Sequence, residues 1–266
     1  MKPLENNKFK SDPGGIARQF GEEWSRYTEI FPAHREQFKK WIHPVPLEFF
    51  AGRTFLDAGC GMGRNALWAL EAGAASGVAV DFDPRTVAAA QRHLEPFPRA
   101  RVELASLYDL SFEKTFDVVF CLGVLHHLAD PRRVLRRLVA ALKPGGTLIV
   151  WVYGREGTEA LLLLLTPLRA LTRFLPVRFT LALAKGLTVL LRALLIWPWR
   201  RPYFELLRTF SFRHTESIVF DQLLPSIARY WSREEAVALL SDLPLTVKHV
   251  THTQGMSWTL VAQRID

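Results

Sequence analysis

The sequence predicts an α/β protein: a mostly parallel sheet with helices on both faces and a helical insertion after the fifth strand. Three observations carry this. Short apolar runs alternate with amphipathic, helix-length segments from residue 54 to residue 152. Two of the runs, Phe116–Cys121 after Asp117 and Thr147–Val152, are apolar on both faces, as strands covered from either side must be. The alternation breaks after Tyr153, where a leucine-rich helical stretch begins and runs to about residue 210.

The elements follow in order. Residues 1–15 read as a loosely held lead-in closed by Pro13-Gly14-Gly15. Residues 16–43 have helical patterning. Phe20, Trp24, Tyr27 and Phe31 share one face, and Phe38 and Trp41 lie further on, which predicts core or lid packing. Thr54–Asp57 is a first strand entering a glycine cluster, and Arg64–Ala72 is a helix. Ser76–Val80 is a second strand that ends at Asp81. Pro84–Leu94 is a helix with proline where a missing N–H does no harm. Arg101–Leu104 and Phe116–Cys121 are the third and fourth strands. Pro131–Leu142 is a helix with Lys143-Pro144-Gly145-Gly146 as its stop signal, and Thr147–Val152 is the fifth strand. Ser232 and Glu235 form a capping box that opens a late helix. Strands near 246–252 and 256–263 flank Gly255 as a hairpin. The expected division is a helical lid segment (1–45), a cofactor-binding core (46–153), a basic helical insertion (154–230) and closing elements of the core (231–266).

With 266 residues, 49% of them hydrophobic, the chain can bury a core without staples and is not intrinsically disordered. Two cysteines, Cys60 and Cys121, exclude a disulfide framework and a thiolate zinc site. The polar N-terminal stretch lacks an apolar signal segment, which predicts a cytoplasmic protein.

The chemistry gathers in Leu56-Asp57-Ala58-Gly59-Cys60-Gly61-Met62-Gly63-Arg64. Glycines there let the backbone turn sharply and approach a ligand. The following helix adds free N–H groups and positive dipole. Asp81, at the end of strand two, is placed to accept hydrogen bonds from a ribose diol. These features specify a nucleoside-bearing cofactor. A dinucleotide loop would place its third glycine at residue 64, which is Arg. Asp57 inside the loop would repel a pyrophosphate, so it favours a ligand carrying an ammonium or sulfonium group.

LDAGCGMGR, VDFDP, FDVVFCLGVLHHLADP and LKPGG, in this order, resemble a class I S-adenosylmethionine-dependent methyltransferase of the bacterial small-molecule type. The resemblance is strong over residues 50–153 and weaker in the flanks. It implies a Rossmann-like sheet of seven strands with the last antiparallel. It also implies S-adenosylmethionine as cofactor, held by Asp57, Gly59, Cys60, Gly61, Gly63, Asp81, Phe82, Ser106, Leu107 and Leu122. Asp57 corresponds to the acid near the amino end of the cofactor, Asp81 to the ribose acid, and Phe82 to the residue beside the adenine. Ser106 stands where the family has an acid facing the adenine. A hydroxyl can still bond the adenine amino group, with less charge assistance.

His126-His127 invites a general-base assignment to His126. The alternative is that both are packing or cofactor-pocket residues. No third ligand accompanies the pair, so no metal site is expected.

The net charge of +8 is concentrated. Residues 160–204 contain no acid and seven bases: Arg169, Arg173, Arg178, Lys185, Arg192, Arg200 and Arg201. No window there is apolar and long enough to span a membrane. Arg178, Lys185 and Arg192 recur every seven residues, a narrow stripe on a helix, and Trp197 and Trp199 close the stretch. Such a helix suits an anionic membrane surface on the inner face of the membrane, a lid, or a homodimer contact. Leucine between the bases does not suit nucleic acid. The resulting expectation is methyl transfer to a small apolar or lipid-like acceptor. The alternatives are a methyltransferase-like adaptor that binds the cofactor and docks through the insertion, and a nicotinamide oxidoreductase.

Overall fold

The computed structural model describes residues 29–172, 175, 177–197, 202–223 and 227–265. The lead-in over residues 1–15, the aromatics Phe20, Trp24 and Tyr27, and Arg173, Trp199, Arg200 and Arg201 lie outside the described residues.

The elements are α1 (Pro32–Ile42), β1 (Thr54–Ala58), α2 (Arg64–Glu71), β2 (Ser76–Asp81), α3 (Pro84–Leu94), β3 (Ala100–Leu104), β4 (Phe116–Leu122), α4 (Pro131–Ala141) and β5 (Leu142–Tyr153). Then come α5 (Glu159–Thr172), α6 (Val177–Leu194), α7 (Pro202–Thr209), α8 (Phe212–Leu223), α9 (Arg233–Ala238), β6 (Leu245–Thr253) and β7 (Ser257–Arg264). One seven-stranded sheet results, in the order β3-β2-β1-β4-β5-β7-β6. β1 to β5 pair in parallel, and β7 runs antiparallel to both β5 and β6. This is the expected Rossmann-like architecture. The order turns back at β1, so β1 and β4 diverge toward their own helices and leave a crevice beyond their carboxyl ends.

The doubly apolar strands feed two cores. Leu56, Val119, Cys121 and Val150 point to the side packed by α4 and α9. Phe55, Val118, Phe120 and Ile149 point to the other, where Phe38 and Trp41 of α1 and Phe50 join them. Alternate residues of one strand thus enter opposite layers, as the pleat requires. Gly77 on β2 leaves room for the Phe55 ring. A Cβ there would sit 2.2 Å from Phe55 Cζ.

Two expectations are corrected. The helix expected over residues 16–43 is not continuous, because Phe31 is extended (φ −114°, ψ 154°) and α1 starts at Pro32. Proline disfavours the helical conformation in the residue before it. Second, α4 ends at Ala141, and β5 begins at Leu142, before the expected Thr147. Lys114 and Thr115 donate their N–H groups to Ala140 and Ala141 and keep the chain extended there. The segment expected as the helical insertion, residues 154–230, contains α5 to α8. It has its own small core of Leu165, Ala184, Phe220 and Leu223. Leu195, Leu207 and Phe210 make a second cluster against Ala33 of α1.

The capping box opens α9 as expected. Ser232 Oγ accepts the Glu235 N–H, and Glu235 Oε2 accepts the Ser232 N–H at 2.8 Å. The hairpin turns at Gln254-Gly255, both with positive φ (57° and 70°).

Candidate active site

The glycine loop is tied to the end of β2. Gly59 and Cys60 donate their N–H groups to the Val80 carbonyl at 2.8 and 2.9 Å. Asp81 Oδ2 accepts the Gly61 N–H at 3.0 Å, and its Oδ1 accepts the Asp83 N–H at 3.1 Å. Gly59 has φ +82°, and a Cβ would meet Val124 Cγ2 at 2.5 Å, so the loop needs glycine for conformation and space. Gly63 is the N-cap of α2 at φ 83°, with Ala90 of α3 against it.

A cavity of about 310 Å³ opens at the carboxyl ends of the strands. Its donor-side wall is Gly59, Cys60, Gly61, Asp81, Phe82, Ser106, Leu107 and Leu122, eight of the ten expected cofactor residues. Asp57 and Gly63 lie behind it. Asp57 is buried, and its Oδ2 has no partner among the described residues. Burial, then the charge of Asp81, pushes its carboxyl well above the carboxylate range, while the Ala66 N–H works against this. Asp57 does not line the cavity. Burial raises Asp81 to about 6 against three backbone N–H donors. Beside the Gly61 and Asp83 bonds, both of its oxygens retain acceptor capacity.

The histidine pair divides. His127 lines the cavity, with Nδ1 2.8 Å from the Ile227 carbonyl oxygen. His126 is fully buried and absent from the lining, and neither ring nitrogen has a partner among the described residues. It stacks on Tyr153 with ring centroids 3.7 Å apart. Burial holds His126 well below its ordinary pKa and His127 at about 4. The expected base, His126, is thus walled off from the space where an acceptor would lie.

The far wall comes from elements to which the sequence reading assigned no site residue. Trp41, Trp151, Tyr153, Leu161, Ile218, Tyr230 and Met256 make it largely apolar. Asp221 and Gln222 of α8 add polar groups. Tyr153 Oη donates to Asp221 Oδ2 at 3.2 Å and accepts from Gln222 Nε2 at 3.0 Å. Tyr230 Oη donates to Gln222 Oε1 at 3.4 Å and accepts from Arg169 Nη2 at 2.9 Å. An acid between apolar residues beyond the leucine-rich run, Asp221 in Phe220-Asp221-Gln222, was the available signal. His214 of α8 also lines the cavity, 3.2 Å from His34 Nε2, and burial lowers the two to about 3 and about 2. They therefore pair as neutral rings.

The basic stripe is broken. Arg169 turns inward to the Gln222 carbonyl oxygen at 2.6 Å, and Arg192 to that of Phe210 at 2.8 Å. Arg178 and Lys185 are exposed. So are Ile196 (85%), Leu163 (81%) and Trp197 (68%). No helix of the described residues is long and apolar enough to cross a membrane. Among the described residues no group of three His, Cys, Asp or Glu could hold a metal.

Residues 56–150 match the family described as "Methyltransferase domain". A ubiquinone biosynthesis O-methyltransferase from Xanthomonas oryzae pv. oryzae is 33% identical over 163 residues, 58% of this chain and 65% of that protein. A tRNA U34 carboxymethyltransferase from Pseudoalteromonas translucida is 36% identical over 125 residues, 45% of this chain and 38% of that protein. The chain thus spans less than two thirds of the length of these relatives. A magnesium protoporphyrin IX methyltransferase from Synechocystis PCC 6803, solved with bound S-adenosylmethionine, superposes with a TM-score of 0.57 at 14% identity, over 99% of both chains. At that identity the likeness is one of fold. With the glycine loop, the acid closing β2 and the sheet order in hand, the matched segment assigns the family: the chain carries a class I S-adenosylmethionine-dependent methyltransferase domain.

Proposed function

We propose that the protein transfers the methyl group of S-adenosylmethionine to a small apolar or lipid-like acceptor at an anionic membrane surface. The observation that carries this is the continuity of the cavity. It runs from the loop and Asp81 to an apolar wall built partly by the insertion. The donor set fits the cofactor. Asp81 offers carboxylate oxygens to a ribose diol, Ser106 a hydroxyl to the adenine edge, and Phe82, Leu107 and Leu122 apolar surface to its faces. When bound, S-adenosylmethionine supplies a methyl group on sulfonium sulfur, already activated toward a nucleophile. The residues around it then need chiefly to hold the acceptor in line and keep water out.

The name of the Xanthomonas relative supports an apolar acceptor. The exposed Leu163, Ile196 and Trp197, with the exposed Arg178 and Lys185 of the same insertion, support docking on an anionic surface. Arg169 and Arg192 are withdrawn from that role by their hydrogen bonds, so apolar contact outweighs charge in this reading.

Calorimetry with S-adenosylmethionine, followed by transfer of labelled methyl into a bacterial lipid extract, tests the reading. Binding with transfer supports it. Binding without transfer into any extract favours the cofactor-binding adaptor, and no binding removes it.

A further inference from the structure

We propose that Asp221 is the general base of the reaction and that the acceptor presents a hydroxyl on a planar apolar ring to it. This rests on the methyltransferase reading above. Among the described residues, Asp81 and Asp221 are the carboxylates in the cavity wall. Asp81 stands at the loop and holds the Gly61 N–H, which leaves Asp221 as the carboxylate of the acceptor side. Stacked rings flank that side: Trp41 on Trp151 at 4.6 Å, and Tyr153 on Tyr230 at 5.2 Å. Flat walls of this kind suit a flat acceptor.

Hydrogen bonds fix the direction of the Asp221 site. Arg169 donates to Tyr230, Tyr230 to Gln222, Gln222 to Tyr153, and Tyr153 to Asp221. Every donor points from the cation toward the carboxylate, so each bond polarises the next. The charged and titratable groups packed around Asp221 are Tyr153 of β5, Tyr230 after α8, Arg169 of α5 and Arg64 of α2. Burial raises Asp221 to about 6, with the Tyr153 bond and the two guanidinium groups opposing it. A carboxyl at that value is ionised near pH ~7 and basic enough to take a proton as it is released. His127 and His214, the other lining candidates, are the weaker bases.

The step balances within these groups. The acceptor O–H bond breaks, and its proton passes to an Asp221 carboxylate oxygen. The oxygen forms an O–CH3 bond as the S–CH3 bond of the donor breaks. That electron pair stays on sulfur, leaving a neutral thioether. Asp221 gives its proton to water as product leaves. Tyr153 does not touch the reacting atoms in this scheme. It is a positioning residue that holds Asp221 and lowers its pKa.

The test uses the full chain, S-adenosylmethionine, and two probes: an octyl-substituted catechol and an octyl-substituted aniline. The catechol is expected to be methylated, with a rate falling below about pH 6. Asp221→Asn is expected to lower kcat by about 100-fold or more and to leave S-adenosylmethionine affinity by calorimetry unchanged. Tyr153→Phe is expected to move the acid limb to higher pH, which a merely structural loss would not do. Infrared titration of the protonated carboxyl stretch, wild type minus Asp221→Asn, should show a group near 6 without any turnover. Normal cofactor binding without catechol methylation overturns this assignment and leaves the cofactor reading intact. Loss of cofactor binding in the wild type overturns both. Methylation of the aniline alone, or a rate lost in His127→Gln and kept in Asp221→Asn, also overturns it.

Discussion

Asp81 Oδ2 accepts the Gly61 N–H at 3.0 Å, so the acid that closes β2 and the middle glycine of the loop form one unit. Removing the side chain loosens the loop and removes the ribose acceptor together. Asp81→Ala should weaken S-adenosylmethionine binding by more than about tenfold, about 1.4 kcal/mol. Calorimetry measures this, and an unchanged affinity would separate Asp81 from the cofactor.

The same carboxyl predicts a pH dependence. Its pKa of about 6 in the free protein means that the ionised form, which accepts two ribose hydroxyls best, is lost as pH falls through 6. Affinity should therefore be flat above that value and fall progressively below it. A titration series across this range checks the sign, and affinity that rises on acidification contradicts the assignment.

Asp117 predicts acid sensitivity of the fold. Burial pushes its carboxyl up, but Lys143 Nζ at 2.8 Å and the Thr54 N–H and hydroxyl outweigh this and hold it below its ordinary value. A depressed native pKa contributes stability above the unfolded value, near ~4, and loses it as pH falls through the native one. The pair is about one-third exposed, so the contribution is modest. Asp117→Asn should lower Tm at neutral pH and flatten its decline below pH ~4. Thermal melts across pH measure both.

Gly77→Ala should destabilise the protein by about 1–3 kcal/mol, because the new methyl would sit inside the Phe55 ring unless strand or ring moves. Tm should fall, while cofactor affinity of the folded protein is kept. A Phe55→Leu background should recover part of the loss.

Ile196→Glu and Trp197→Glu should each reduce co-sedimentation with anionic vesicles while leaving Tm unchanged, since both side chains are mostly exposed. Binding that persists in the double variant would move the docking surface elsewhere. Loss of binding in moderate salt would show charge to be dominant.

The core was legible because its signals are local. A strand covered on both faces must read as an unbroken apolar run, and Val118–Leu122, after Asp117, does. A tight loop before a helix must carry glycine, and Gly59 and Gly63 adopt the positive φ this requires. The glycine loop of the cavity followed from these two rules, whereas Phe82, Ser106, Leu107 and Leu122 followed from the family resemblance. The acceptor side did not, because its residues lie far apart in sequence. Tyr153 and Asp221 meet only when α8 folds back over β5. Adjacent residues misled for the opposite reason. His126 and His127 share a short helical turn, and successive side chains face different ways, so one reaches the cavity and the other stacks on Tyr153. The regular spacing of Arg178, Lys185 and Arg192 also misled, since a carbonyl at a neighbouring helix end draws Arg192 out of the stripe.

One consequence concerns how such a protein could change. The donor side is built from the ends of β1, β2 and β4, and much of the acceptor side from β5 onward, with α5 and α8 contributing Leu161, Ile218 and Asp221. In the proposed reading, a single contiguous stretch of coding sequence therefore carries much of both the choice of what is methylated and the surface on which it is met. Recombination at Tyr153 and Trp231, which are already bonded backbone to backbone, would exchange that stretch between relatives and leave the donor site untouched.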